Sequence, residues 1–242
     1  EIKLAMQELF LAGRILVVGA RLVVRHTFVS SEAGPAEMVY SFALPRDAAL
    51  RRFNITGDGF TARSELKPAG EARKLYEDGL ENGHLSTLAQ QYRDGYVNLN
   101  VGHVRPGEKV TVFLEILAGV DLRDDGLRFR FPFTLAPCYH AGMKAGRVDD
   151  NTGELELPEK DFGDLILPPF ARDASSLHRI GFDLAVQMPG PIAEAGSPSH
   201  AIKVRTTDPQ RLRIGLAPER DVPNRDLVLD IRLQAPFSGV LC

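Results

Sequence analysis

The chain has 242 residues, 44% of them hydrophobic and 25% charged, which is enough to bury a sizeable core without disulfide or metal staples. Its 29 Lys and Arg are interleaved along the sequence with 32 acids, for a net charge of -3 and a pI near 6.1, so we expect no basic face for a phosphate backbone and no nucleic-acid partner. Two cysteines, Cys138 and Cys242, supply no disulfide framework, and no apolar run reaches the ~18 residues of a membrane helix because Arg14, Arg21 and Arg25 interrupt the Ile15 to Val24 region.

With Glu at position 1 we expect a cropped or processed chain, which leaves its localisation unread. From Leu9 to Val29 the residues are dense in Val and Leu, and we predict two strands with a break near Gly19. In the second, Leu22, Val24, His26 and Phe28 share one side, opposite Val23, Arg25, Thr27 and Val29. Met38, Tyr40, Phe42 and Leu44 form the next alternating face, ended by Pro45. Phe53 and Ile55 lead to the turn Gly57-Asp58-Gly59 and a returning segment from Phe60 to Lys67.

Then the period changes. Ala72, Leu75, Tyr76 and Leu80 fall on one stripe of a helix predicted over Ala69 to Gly83, started at Pro68 and ended at Gly83, with Leu75, Tyr76 and Leu80 expected in the core. Gly79 inside that helix costs roughly 1 kcal/mol relative to alanine, so we expect another backbone to approach it closely. Val97, Leu99 and Val101 restore the strand period. Arg105-Pro106-Gly107-Glu108 turns the chain into a strand with Val112, Leu114 and Ile116 inward, and Leu127, Phe129, Phe131 and Phe133 line a last face with Arg128 and Arg130 behind it.

From Gly142 to Ser176 prolines and the run Asp149 to Gly153 argue for a connector. Beyond it, four alternating strands are predicted around Ile180 to Met188, Ile202 to Val204, Leu212 to Leu216 and Leu227 to Leu233. The fold class expected is therefore mostly β. An antiparallel β-sandwich with one packed α-helix occupies residues 1–141, residues 142–176 connect, and a second, smaller antiparallel β domain occupies 177–242.

Four segments in order carry a family resemblance: Leu44 to Ile55, Glu71 to Gly83, Leu88 to Val112 and Phe129 to His140. They include the Leu-Pro after an aromatic strand at Leu44-Pro45, the Glu-Ala-Arg and Tyr-Glu helix from Glu71 to Glu77, the Val-Gly-x-Val-x-Pro-Gly-Glu turn from Val101 to Glu108, and Phe131-Pro132-Phe133 followed by Tyr139. Together they resemble a vault protein inter-alpha-trypsin (VIT) domain over about residues 8 to 141, with Gly79-Leu80 departing from the family's more Ala-rich helix. Met188 to Val204 followed by Asn224 to Ile231 resembles the region between VIT domains and a von Willebrand factor A domain, so the second β domain is read as incomplete and as preceding one. The resemblance to inter-alpha-trypsin inhibitor heavy chains implies a non-catalytic protein-interaction or scaffolding module, secreted or at the cell surface, with a protein partner. Domains of this kind also occur inside cells, in a vault-associated polymerase. An incomplete second sheet would leave an apolar patch or free edge and self-association of the chain.

The residues that could carry chemistry argue mostly for structure. Six histidines include no His-Glu-x-x-His, there is no Cys-x-x-Cys, and no catalytic, cofactor or metal residue is expected. Cys138-Tyr139-His140 places its Cys and His on one side of a strand, where the two side chains do not meet as nucleophile and base. Gly102 to Glu108 has phosphate-loop glycine spacing, but Glu replaces the Lys and a strand follows, which makes it a hairpin turn. Asp149 to Glu154 lacks the calcium loop's final Glu, and Asp173 to Ser176 meets Leu177 where the last Ser of a von Willebrand A metal site belongs. Ser199 and His200, with Asp226 as a remote acid, give the alternative reading of an all-β hydrolase. No Gly-x-Ser-x-Gly elbow supports it, and hydroxyls in a turn next to Pro198 satisfy backbone groups instead.

Overall fold

The computed structural model describes residues 4–30, 33–45, 47–58, 60–64, 67–84, 86–91, 95–133, 178–219 and 221–236. Cys138, Tyr139, His140, the connector 142–176 and Cys242 lie outside the described residues, as do the candidate loops at Asp149 and Asp173. The fold is mostly β with one helix: strands β1 (Leu4–Leu16), β2 (Gly19–Ser30), β3 (Ala36–Ala43), β4 (Ala49–Gly57) and β5 (Phe60–Arg63) precede α1 (Ala69–Glu81). Then come β6 (Thr87–Gln91), β7 (Tyr96–Val104), β8 (Lys109–Ala118), β9 (Asp121–Arg123), β10 (Gly126–Phe131), β11 (Arg179–Gln187), β12 (Ile192–Gly196), β13 (Ile202–Asp208), β14 (Arg211–Leu216) and β15 (Leu227–Leu233).

These strands make an eight-stranded sheet in the order β13-β14-β11-β1-β2-β8-β4-β5, a four-stranded sheet β12-β15-β10-β9 and a three-stranded sheet β3-β7-β6. The two smaller sheets lie against the inner face of the large one: the His26 ring of β2 meets Phe42 of β3 at 5.2 Å, and Phe133 after β10 stacks on Phe182 of β11 at 6.5 Å. The alternation read from the sequence is realised on the inner face, where Leu22, Val24, Val112, Leu114 and Ile116 are buried together with Val97, Leu99 and Val101 from across the sandwich.

The sheets run across the division expected at 142–176. β11 pairs with β1 in parallel, from Glu8↔Arg179 to Leu16↔Gln187, and β15 pairs with β10 from Gly126↔Arg232 to Phe131↔Leu227. The one-sided sheet foreseen after the connector is therefore covered by the same core, since Ile180, Phe182, Leu184, Val186 and Met188 are all buried there. At ~1.5–3 kcal/mol for each such side chain, docking β11 removes on the order of 10 kcal/mol of apolar exposure. The expected all-antiparallel pairing is corrected at this one junction. Outside the core, Arg128 donates twice to the Asp230 carboxylate, at 2.6 and 2.7 Å, and ties β10 to β15.

α1 follows the helical stripe with two corrections. Tyr76 is buried, Leu80 is only half-buried where it packs on Gly102 of β7, and Leu75 is 54% exposed, because the docking line runs through Ala72, Tyr76 and Leu80 and leaves Leu75 on its border. Pro68 caps the start without a side-chain bond, and Gly83 ends the helix in the left-handed region at φ 70°. The close approach expected at Gly79 comes from the Ser86 side chain and not from another backbone: a Cβ at 79 would collide with Ser86 Oγ.

Three strands had no signal in the sequence. β6, β9 and β12 are short, and Ile192-Ala193-Glu194-Ala195-Gly196 carries too few large apolar side chains to alternate.

Candidate functional site

The hydrolase residues do come together, in the loop between β12 and β13. Ser197 Oγ accepts the N–H groups of Ser199 at 3.3 Å and His200 at 3.1 Å, a turn held by its own hydroxyl. Ser199 Oγ accepts the Val228 N–H at 2.9 Å, pinning the start of β15, and lies 2.9 Å from His200 Nδ1. The Arg225 guanidinium donates to the Ser199 carbonyl and, at 2.8 Å, to the Asp221 carboxylate. His200 is buried edge-on between Phe133 and Phe182, with ring centroids at 5.9 and 6.1 Å, and its Nε2 has no hydrogen-bond partner. Desolvation, then the Arg225 charge, holds its pKa below the usual range against the pull of Asp221 and Asp226.

In this arrangement the imidazole nitrogen that a catalytic acid would orient faces two phenyl rings, and the serine oxygen is engaged by a backbone donor. Asp226 acts on His200 through space. Gly102 to Glu108 is a hairpin turn as expected: Glu108 is buried, its Oε2 accepts the Arg105 N–H at 2.9 Å, and the Gly107 N–H reaches the Ser30 carbonyl at 3.0 Å. Among the described residues no three His, Cys, Asp or Glu side chains converge as metal ligands, and no helix is long and apolar enough to cross a membrane.

A different site is built where α1 spans the open end of the sandwich. A cleft of about 340 Å³ lies between β4–β5 on one side and α1–β6 on the other. Leu50 and Phe53 from β4, Leu75 and Tyr76 from α1 and Ala89 from β6 give it apolar walls, and Arg51, Arg52, Arg63 and Lys67 stand along its margin. Among the described residues β5 and β6 are the last strands of their sheets, each with one edge that no described strand pairs. An apolar side chain with a carboxylate beside it has a place here. Nothing in the one-dimensional sequence brings β4 and β6 together.

Behind this margin, on the outer face of the large sheet, Glu115 receives Arg51 at 2.7 Å, Arg21 at 2.8 Å and Arg52 at 3.0 Å. Burial by itself would raise its pKa, but Arg51, then Arg21 and Arg52, outweigh burial and hold the carboxyl below its usual range.

Residues 6–116, which contain the helix, the cleft and the Arg105 to Glu108 turn, match the model of the vault protein inter-alpha-trypsin domain family. Over these residues the chain is similar to a VIT domain. Von Willebrand factor A domain-containing protein 5A of Mus musculus is 29% identical over 145 residues, covering 59% of this chain and 18% of that protein. The Rattus norvegicus protein of the same name is 32% identical over 115 residues, 46% of this chain and 14% of its own length. Protein mono-ADP-ribosyltransferase PARP4 of Mus musculus matches further, 23% identical over 203 residues, or 84% of this chain and 10% of that protein. The chain thus spans less than a fifth of the length of these relatives. Beyond residue 116, β11, β13 and β14 complete the eight-stranded sheet, and β9, β10, β12 and β15 make up the four-stranded one.

Proposed function

We propose that this chain is a protein–protein interaction and scaffolding module without catalysis of its own, the amino-terminal part of a larger VIT and von Willebrand A type protein that works in extracellular or surface assembly or adhesion. The observation that carries this reading is the cleft beside α1, with its apolar walls, cationic margin and two strand edges that no described strand pairs. An extended segment of a partner can pair with either edge and place an apolar side chain beside Leu75. The VIT match and the relatives that carry von Willebrand A domains in their names support the class of protein.

The competing hydrolase reading rests on the 2.9 Å contact between Ser199 and His200. Against it stand the apolar surroundings of Nε2 and the Val228 N–H on the same oxygen. Panning a random peptide library on the purified chain tests the interaction reading. The selected peptides should bind the parent and lose affinity for Leu75→Glu, a change on a half-exposed side chain that leaves the core intact. Turnover of an ester or peptide substrate that is abolished by Ser199→Ala would overturn it.

A further inference from the structure

Four arginines from distant points of the sequence stand in one row on the outer face of the eight-stranded sheet. Arg205 pairs with Arg213, Arg213 with Ala185, Ala185 with Arg14, and Arg14 with Arg21, from β13 to β2 across five adjacent strands. Laterally paired residues share a face, and all five side chains are exposed. At ~4.8 Å between strands the row is about 19 Å long. The next row adds Lys203 and Arg52 at its two ends.

The two acids within these rows are taken, and a third, Glu219, lines a shallow pocket with Lys203, Arg205 and Arg213. Asp183 holds Arg213 through two bonds of 2.5 Å, and Glu115 holds Arg21, Arg51 and Arg52. Arg14, Arg205 and Lys203 have no acidic partner among the described residues. The interleaving of charge therefore holds along the chain and fails across the sheet: the expectation of no basic face is corrected, because alternate residues of a strand go to opposite faces and registry gathers the cations on one of them.

Like charges directly opposite on neighbouring strands are destabilising, and this row contains two such pairs, Arg14 with Arg21 and Arg205 with Arg213. An anion placed over them relieves both. Six of the cations named on this face are arginines and one is lysine, which favours planar groups that accept two parallel hydrogen bonds, such as carboxylates. The second observation is apolar. Leu117 pairs with Arg21 on β8, and Val23 lies two residues from Arg21 on the same face; they are 46% and 40% exposed. A phosphate backbone makes no use of them, whereas an extended peptide that carries acidic and aliphatic side chains on the same face uses both kinds of group.

We propose that this face docks an acidic segment of a partner protein, its carboxylates gripped by Arg14, Arg21 and Arg205 and its aliphatic side chains laid on Val23 and Leu117. The surface adjoins the cleft at Arg51 and Arg52, and the proposal shares with the proposed function the premise of a protein partner. In an extended segment alternate residues face the sheet, so about six residues cover the row.

The test is fluorescence anisotropy on the full chain with a labelled peptide of about eight residues in which glutamates and one valine occupy every second position, on one face, with serines between them. Saturable binding that weakens with added salt is expected. The pair Arg14→Ser and Arg205→Ser should weaken it about tenfold with an unchanged melting curve, since both side chains are exposed. Arg14→Lys should recover only part of the loss in the Arg14→Ser variant, and Leu117→Ser should weaken binding independently. Leu75→Glu, which disables the cleft, should leave it unchanged. The proposal is overturned if the peptide fails to bind, if the double variant binds it equally, if the same peptide with glutamine for glutamate binds as well, or if Leu75→Glu abolishes binding. Binding of oligothymidylate or phosphatidylserine vesicles with no binding of the peptide would equally overturn it.

Discussion

The eight-stranded sheet has two faces drawn from the same strands, and they treat charge in opposite ways. On the inner face the ionisable groups are histidines held neutral. His26 on β2 is pushed down to about 3 by burial and then by the nearby His178, and His178 is itself pushed down to about 4 by burial. On the outer face the same strands carry Arg14, Arg21, Arg25 and Glu115, with Glu115 kept ionised against partial burial by its three arginines. Solvent access, and not residue type, decides whether a group keeps its charge: the same alternation sends His26 inward and its neighbour Arg25 outward, where it pairs with Glu8 at 2.7 Å and lies over Phe10.

The largest effect expected is on the inner face, where it also asks whether the strands after residue 177 share one cooperative core with the VIT-like part. Leu184 on β11 is fully buried between strands from both parts of the chain. Leu184→Ala should cost about 2–5 kcal/mol and lower a single melting transition. If the melt instead splits in two, with the VIT part unmoved, the inner face is two cores and the comparison must be redrawn.

Next comes acid. A histidine whose folded pKa lies below its unfolded value near 6.5 leaves the unfolded state binding more protons, so its stability contribution is full above pH 6.5 and is lost as the pH falls toward the folded value. His26 and His178 should each remove up to about 1.4 kcal/mol per pH unit below 6.5. The outer-face carboxyl Glu115, depressed from 4.5, loses its contribution only below that pH, so the two faces separate in the titration. Denaturant unfolding from pH 7 to pH 5 should show a steep loss in the parent and a shallower one in a His26→Leu, His178→Leu variant. Equal slopes would show that the inner histidines are not the acid-sensitive groups.

The smallest effect belongs to the outer face. Glu115→Gln removes the shared partner of Arg21, Arg51 and Arg52 and should cost about 1 kcal/mol, more at low salt than at high salt because it leaves cations side by side. A cost of the same size at every ionic strength would mean that Glu115 acts by packing and not by charge.

Much of the strand content was legible because alternation is a local signal. Leu22 to Phe28, Val112 to Ile116, Ile180 to Met188 and Leu227 to Leu233 are all strands with the expected face inward. The helix was legible from its change of period, but Leu75 was not, since a stripe about 100° wide does not say which of its margins meets the sheet. The Ser199 and His200 contact was readable as adjacency, yet the groups that hold it, Val228, Arg225, Phe133 and Phe182, come from three other regions. The cleft and the arginine row left no local trace.

What this sequence determined by itself is the class of each element and the family that its first part resembles: period two for strands, one amphipathic helix, and the ordered motifs of a VIT domain from Leu44 to Glu108. What only the tertiary structure decided is partnership. β11 filling the edge of β1, β15 joining β10, and Arg14 standing between Arg21 and the Arg205–Arg213 pair all depend on hydrogen-bond register between segments far apart in the chain. Side-chain alternation is set within a strand by the geometry of its own backbone, whereas the choice of neighbour is set by which unpaired edge and which uncovered apolar face the rest of the molecule leaves to be satisfied.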